Sequence, residues 1–137
     1  MTKGFFYAAS ILPDSFEFPD EYLTISADER ELNIEPWRFL SKDMATSLFY
    51  YGSMLLKFPG SGLVPFAIIQ DESGHYNDGW VVLACFESVG GNPCVRIYDY
   101  SKPKISPWDN ASYANFSDWL ESAKAESLRY KTELDNY

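Results

Sequence analysis

The pattern of apolar and polar positions is clearest in the middle of the chain. Residues 64–70, VPFAIIQ, are apolar at consecutive positions, the mark of a strand covered on both faces. Residues 79–86, GWVVLACF, place Trp80, Val82, Ala84 and Phe86 on one face and Val81, Leu83 and Cys85 on the other. This strand is also expected at the centre of a sheet. Residues 94–100, CVRIYDY, alternate: Val95 and Ile97 point inward, and Arg96, Tyr98 and Tyr100 point outward. That spacing predicts a strand with one face in water. Short, turn-rich connections between the three predict an antiparallel meander.

Helical spacing lies on either side. Over residues 41–58, Ser41 reads as the N-cap and Asp43 suits the first turn. Met44, Ala45, Leu48, Phe49, Leu55 and Leu56 fall on one broad face, which is expected to be the buried one. Gly52 lies on that face and offers close approach to a neighbouring element, and the helix ends before Pro59. Over residues 115–134, Asn115 caps a second long helix, with Asp118 three residues on. Phe116, Leu120, Ala123, Tyr130 and Leu134 trace its buried stripe, and Trp119 flanks it. Pro19, Asp20 and Glu21 start a short N-terminal helix. Residues 31–40 are apolar at Leu32, Ile34, Trp37 and Phe39, and Pro36 restricts them to an edge or bent strand. The apolar run 5–9 is too short for a secretory signal and reads as a first strand. The sum is an α+β fold, an antiparallel β-sheet meander packed with N-terminal, central and C-terminal helices, in a single domain over residues 1–137.

Composition fits a folded chain, at 46% apolar and 18% aromatic over 137 residues. No stretch approaches the roughly 18 apolar residues of a membrane span. Two cysteines, Cys85 and Cys94, make neither a disulfide framework nor a zinc cluster, and they suit a reducing cytoplasm. Charge narrows the partners. The formal net charge is -9, from 20 acids and 11 bases. Residues 1–35 contain eight acids (Asp14, Glu17, Asp20, Glu21, Asp28, Glu29, Glu31, Glu35) and two bases (Lys3, Arg30), which is -6. This balance argues against direct binding of nucleic acid, which needs a basic face. It permits a protein partner with a basic surface. The alternative is that the acids serve solubility.

Residues 71–79, DESGHYNDG, hold the chain's one histidine, His75. A nucleophilic triad would need His75 beside a Ser or Cys and an orienting acid, and no nucleophile motif is present. The calcium-like composition fails the EF-hand spacing: counted from Asp71, Gly74 is fourth and Val82 twelfth, where that loop needs glycine sixth and a glutamate twelfth. The loop therefore reads as the turn of a hairpin, with a binding edge as the second reading. Asp71, Glu72, Tyr76 and Asp78 are the candidate partner-binding residues at its tip. Tyr98, Tyr100, Trp108 and Tyr113 are further candidate exposed aromatics near acids, the type of side chain that anchors interfaces. No catalytic residue, metal ligand or cofactor site is expected.

The order of elements resembles the SUKH superfamily, in the branch of cell-wall-assembly regulators and small bacterial proteins. The resemblance covers roughly residues 16–130. It is carried by PDEYL, VPFAIIQDESG, DGWVVLACF, VRIYDY and NFSDWLE, at Pro19, Tyr22, Pro65, Phe66, Gly74, Trp80, Phe116, Trp119 and Leu120. Residues 1–15 lie outside it. The resemblance implies an immunity protein that binds and neutralises a cognate polymorphic or contact-dependent toxin domain, often a nuclease, without cofactor or catalytic residue. The eukaryotic branch implies the alternative, an intracellular regulatory or scaffold module that binds an endogenous protein.

Overall fold

A computed structural model describes residues 6–7, 11–13, 16–26, 33–87 and 92–135. Expectations on the remaining residues lie outside it, among them those on Asp14, Asp28, Glu29, Glu31 and Leu32. The fold is α+β. The described strands β1 (Trp37–Phe39), β2 (Leu63–Ile69), β3 (Val82–Glu87), β4 (Cys94–Asp99) and β5 (Ser112–Tyr113) form one sheet in chain order, every pair antiparallel. Pro65 sits inside a central strand, where it cannot donate to the ladder. The register shifts between Pro65 and Ala67, which absorbs the missing donor.

Helices cover both faces, so β2 and β3 are buried at every residue. On one face lie α1 (Asp20–Ser26) and α3 (Phe116–Asp135). Phe66 stacks on Phe86 at 3.9 Å between ring centres, and Trp119 meets Phe66 edge-on at 4.9 Å. Tyr22 of α1 closes the cluster against Phe66, Phe86 and Phe116. Asn115 Oδ1 accepts from the Asp118 amide, which is the expected cap. Trp119 is central to the buried stripe and does not flank it, while Leu134 at the last turn is exposed. Against the other face packs α2 (Met44–Lys57), over Leu40, Leu63, Ile68, Leu83, Cys85 and Tyr98.

Four expectations need correction. Phe6 and Tyr7 are not in a strand; Tyr7 is buried, with its hydroxyl 3.1 Å from the Ser47 carbonyl and 2.9 Å from that of Pro65. The cap of α2 is Asp43, whose Oδ1 accepts from the Thr46 amide; Ser41 is buried in a 3₁₀ turn, Leu40–Lys42. Tyr98 is buried and not outward, because α2 covers the face it points to. Trp80 precedes β3 and is exposed.

A fifth correction is larger. α2 faces the sheet with Ser47, Tyr51 and Met54, and the six residues expected inside are all outside. The inward face combines two core side chains, Tyr51 and Met54, with hydroxyls whose hydrogen bonds are met. Ser47 Oγ donates to the Leu40 carbonyl, Tyr51 donates to the Ile11 carbonyl, and Ser53 Oγ lies 2.8 Å from the Tyr100 hydroxyl. A small side chain at Ser47 also lets the helix sit close to the sheet. Hydrogen bonds of this kind remove the cost of burying hydroxyls, which a count of apolar positions does not register.

Candidate functional site

One end of the sheet gathers the predicted residues. Trp37, Ile69, Val82 and Asp99 are aligned across β1 to β4 at that end. The connection from β2 to β3 leaves from here and folds back onto α3, so it is not a free tip. Asp71 organises it. Its carboxylate accepts from the Ser73 amide (3.1 Å), Ser73 Oγ (2.6 Å), the Tyr76 amide (2.7 Å) and the Tyr130 hydroxyl of α3 (3.3 Å). Partial burial pushes the Asp71 carboxyl up, but these hydrogen bonds outweigh it and hold the group below the usual carboxylate range.

The turn itself needs left-handed backbone at Gly74 (φ +79°), Asn77 (φ 53°), Asp78 (φ 54°) and Gly79 (φ +84°). Asn and Asp tolerate that region better than other side chains. At Gly79 an added Cβ would touch the Asp71 carbonyl at 3.4 Å, so the positive φ is what favours glycine there. Asn77 Nδ2 donates to Asp99 Oδ1 at 2.9 Å, and Ser101 Oγ and its amide reach the same oxygen. Burial raises the Asp99 carboxyl, but the bonds from Ser101 and Asn77 dominate and lower it.

Tyr76 is the second anchor. It is half-buried, stands edge-on to Tyr130 at 6.1 Å, and donates its hydroxyl to Glu126 Oε2. The other oxygen of Glu126 accepts from Trp37 Nε1 at 3.0 Å. One carboxylate on α3 thereby ties the loop to β1. Burial, then the Glu126 carboxylate, pushes the Tyr76 phenol well above its ordinary value. Behind these groups is an open groove of about 370 Å³ whose lining includes Trp37, Tyr76, Ile97, Asp99, Tyr113 and Glu126. The carboxylates that line it are engaged by the chain's own donors.

The four predicted partner-binding residues therefore divide. Asp71 and Tyr76 hold the loop in shape. Glu72 and Asp78 are exposed, and neither has an ion-pair partner among the described residues. His75 is exposed beside them, with its amide donating to Ser73 Oγ, and it does not line the groove. Of the expected exposed aromatics only Trp108 is so; Tyr76, Tyr100 and Tyr113 are half-buried. Trp108 Nε1 donates at 2.7 Å to Glu87 Oε2, and the other Glu87 oxygen pairs with Arg96 Nε at 2.9 Å. Sequence reasoning missed Glu126, Tyr130 and Glu87. The Tyr76–Glu126 contact spans 50 positions, and no local pattern announces it.

Among the described residues, no group of His, Cys, Asp and Glu is arranged to hold a metal ion, and no helix is long and apolar enough to cross a membrane. The sequence matches no family model, no curated protein and no solved structure.

Proposed function

We propose that this chain is an immunity-type protein that binds a cognate toxin domain and neutralises it by occlusion, without catalysis of its own. One observation carries the reading. Glu72 and Asp78 are exposed and have no ion-pair partner among the described residues, on a loop that Asp71 and Tyr76 fix to α3 and β1. Carboxylates on a fixed loop cost little ordering entropy on binding, and in a chain of net charge -9 they add to a field that draws in a basic surface. A nuclease active-site cleft has such a surface, and these acids would occupy the place of phosphate. Residues Asp71, Glu72, Tyr76 and Asp78 are assigned to partner binding, the first and third as supports for the other two.

The test is a rescue of growth and a pull-down. The chain is co-expressed with the C-terminal domain of a large secreted protein encoded beside it. Rescue with a stoichiometric complex supports the proposal. Glu72→Lys with Asp78→Lys is then expected to slow association about tenfold at low salt and to flatten its salt dependence. An unchanged on-rate refutes the assignment of the loop. Failure of every neighbouring domain, with capture of an endogenous protein, refutes immunity in favour of a regulatory or scaffold module.

A further inference from the structure

The outer face of α2 is apolar and uncovered. Phe49 is 68% exposed, Leu56 84%, Met44 58%, Leu55 48% and Leu48 44%. Together these leave on the order of 600 Å² of apolar surface in one patch, the top of the range for a lone chain. No charged residue occurs between Asp43 and Lys57. Lys57 turns away, its Nζ 5.4 Å from the Tyr100 ring centre and 5.7 Å from that of Tyr98.

We infer that this face is the interface of a symmetric dimer, in which two copies of α2 pack antiparallel about a two-fold axis level with Tyr50. The first argument is self-complementarity. Ala45, Leu48, Gly52 and Leu55 repeat at the spacing of a helix–helix seam, small residues alternating with leucines. Antiparallel pairing about that level sets Leu48 of each copy over Gly52 of the other, and Leu55 over Ala45. Each knob meets a hole, and Phe49 of both copies lies beside the axis. Gly52 fits this role. Its backbone is not left-handed, and a Cβ added there meets no atom within 4 Å. Glycine inside a helix costs about 0.5–1 kcal/mol relative to alanine, and no contact among the described residues requires it.

Charge supports a second copy as the occupant. Two chains of -9 repel, so a stable contact must keep their acids apart. The acids of the helical layers lie on α1 (Asp20, Glu21) and α3 (Asp118, Glu121, Glu126, Glu133), across the sheet from α2. Residues 36–70 hold Arg38, Lys42 and Lys57 against Asp43 alone, three bases less one acid, or +2. Area supports it too. Buried in full, two such faces cover about 1,200 Å², the lower bound of a specific interface. The inference does not depend on the immunity reading, because the loop after β2 lies on the α3 side and stays open in the dimer.

Sedimentation equilibrium of the full chain, from about 1 μM to 500 μM, tests it. The expected result is a monomer–dimer equilibrium. Gly52→Leu fills the hole without a clash inside the monomer, so it is expected to keep or raise the melting temperature while weakening dimerisation at least tenfold. Leu56→Glu is expected to weaken it similarly with the fold intact by circular dichroism. A monomer throughout overturns the inference. Equal or stronger self-association of Gly52→Leu overturns it as well, since that marks unspecific adhesion of an apolar face. Loss of toxin-domain binding in the same variants, with a monomeric wild type, would give the face to the toxin instead.

Discussion

Glu126 is the residue on which the shape of the candidate loop rests, and Glu126→Ala isolates its contribution. The side chain accepts from Trp37 Nε1 at 3.0 Å and from the Tyr76 hydroxyl, so its removal deletes two hydrogen bonds to a carboxylate. Such bonds contribute about 1.5–3 kcal/mol each when well enclosed. Both ends here are only partly enclosed. Glu126 and Tyr76 are half-buried, and the freed Tyr76 hydroxyl can turn to water. The indole N–H of the buried Trp37 is less easily rehydrated. A net loss of about 2 kcal/mol follows, or roughly 6–10 °C in melting temperature for a domain of this size. The loop should loosen more than the fold. Amide exchange at Tyr76, Gly79 and Trp80, whose donors close the turn, is expected to accelerate about tenfold for each 1.4 kcal/mol lost locally. Exchange at Leu83 and Ala84 in β3 should change only with global stability. Glu126→Gln keeps an acceptor for Trp37 and an amide toward Tyr76, and is expected to recover about half of the loss. A melting temperature within 2 °C of wild type in Glu126→Ala, with unchanged exchange in the loop, would refute the claim that Glu126 anchors it.

Other perturbations test other layers. Phe66→Ala removes the ring stacked on Phe86 and touched by Trp119, and chemical denaturation should show a loss of about 3–5 kcal/mol. Asp71 and Asp99 have folded values below their usual 3.8, so the unfolded chain binds protons first as the pH falls. Their contribution is full above that value and is lost as the pH drops through the lowered folded values. Wild type and Asp71→Asn should therefore differ most, wild type higher, above the ordinary value of 3.8 and converge in melting temperature as the pH falls through the lowered folded value. Burial pushes both thiols up, but Cys85 is fully buried whereas Cys94 is half-exposed beside Arg96 and Glu87. A thiol reagent should modify one cysteine of the native chain, Cys94, and reach Cys85 only on unfolding.

What the sequence reveals about this fold divides along a physical line. β2 and β3 are legible because burial on both faces forces apolar residues at consecutive positions, and that pattern is local. The cap at Asn115 is legible because its acceptor and the Asp118 amide are three residues apart. The orientation of α2 is not legible, because its inward face uses Ser47, Tyr51 and Ser53 as hydrogen-bonding contacts while its leucines face water. Tyr98 reads as exposed for the same reason: alternation in β4 reports one covered face, and only the placement of α2 shows the second. The candidate site is half legible. Asp, Gly and Asn at 71–79 announce a tight turn, and Asp71, Glu72, Tyr76 and Asp78 are named from it. Which of them support the turn and which stand free depends on Tyr130 and Glu126, which are far along the chain.

The two faces of the sheet carry different surfaces. On the α1 and α3 side, the exposed side chains include the acids Asp20, Glu21, Asp118, Glu121 and Glu133, and the loop at 71–79 spends half of its acidic and aromatic residues on its own rigidity. A surface of that kind suits contacts governed by charge, where approach is fast and salt-sensitive. On the α2 side, Ser47 and Tyr51 join Met54 on the inward face while five large apolar side chains stand outward, unlike a helix built only to cover a sheet. Covering alone would be met by the opposite arrangement, with leucine on Ile68 and Leu83 and serine in water. The inversion has a cost in solubility that the net charge of -9 offsets, since the long-range repulsion it supplies keeps dilute chains apart. That balance predicts its own failure. Raising salt to about 1 M shortens the screening length to about 3 Å, so self-association through α2 should strengthen. Association through the loop at 71–79 should weaken under the same change. Opposite salt slopes for the two contacts would separate them in one titration, and parallel slopes would mean that the division between an apolar and an acidic surface is wrong.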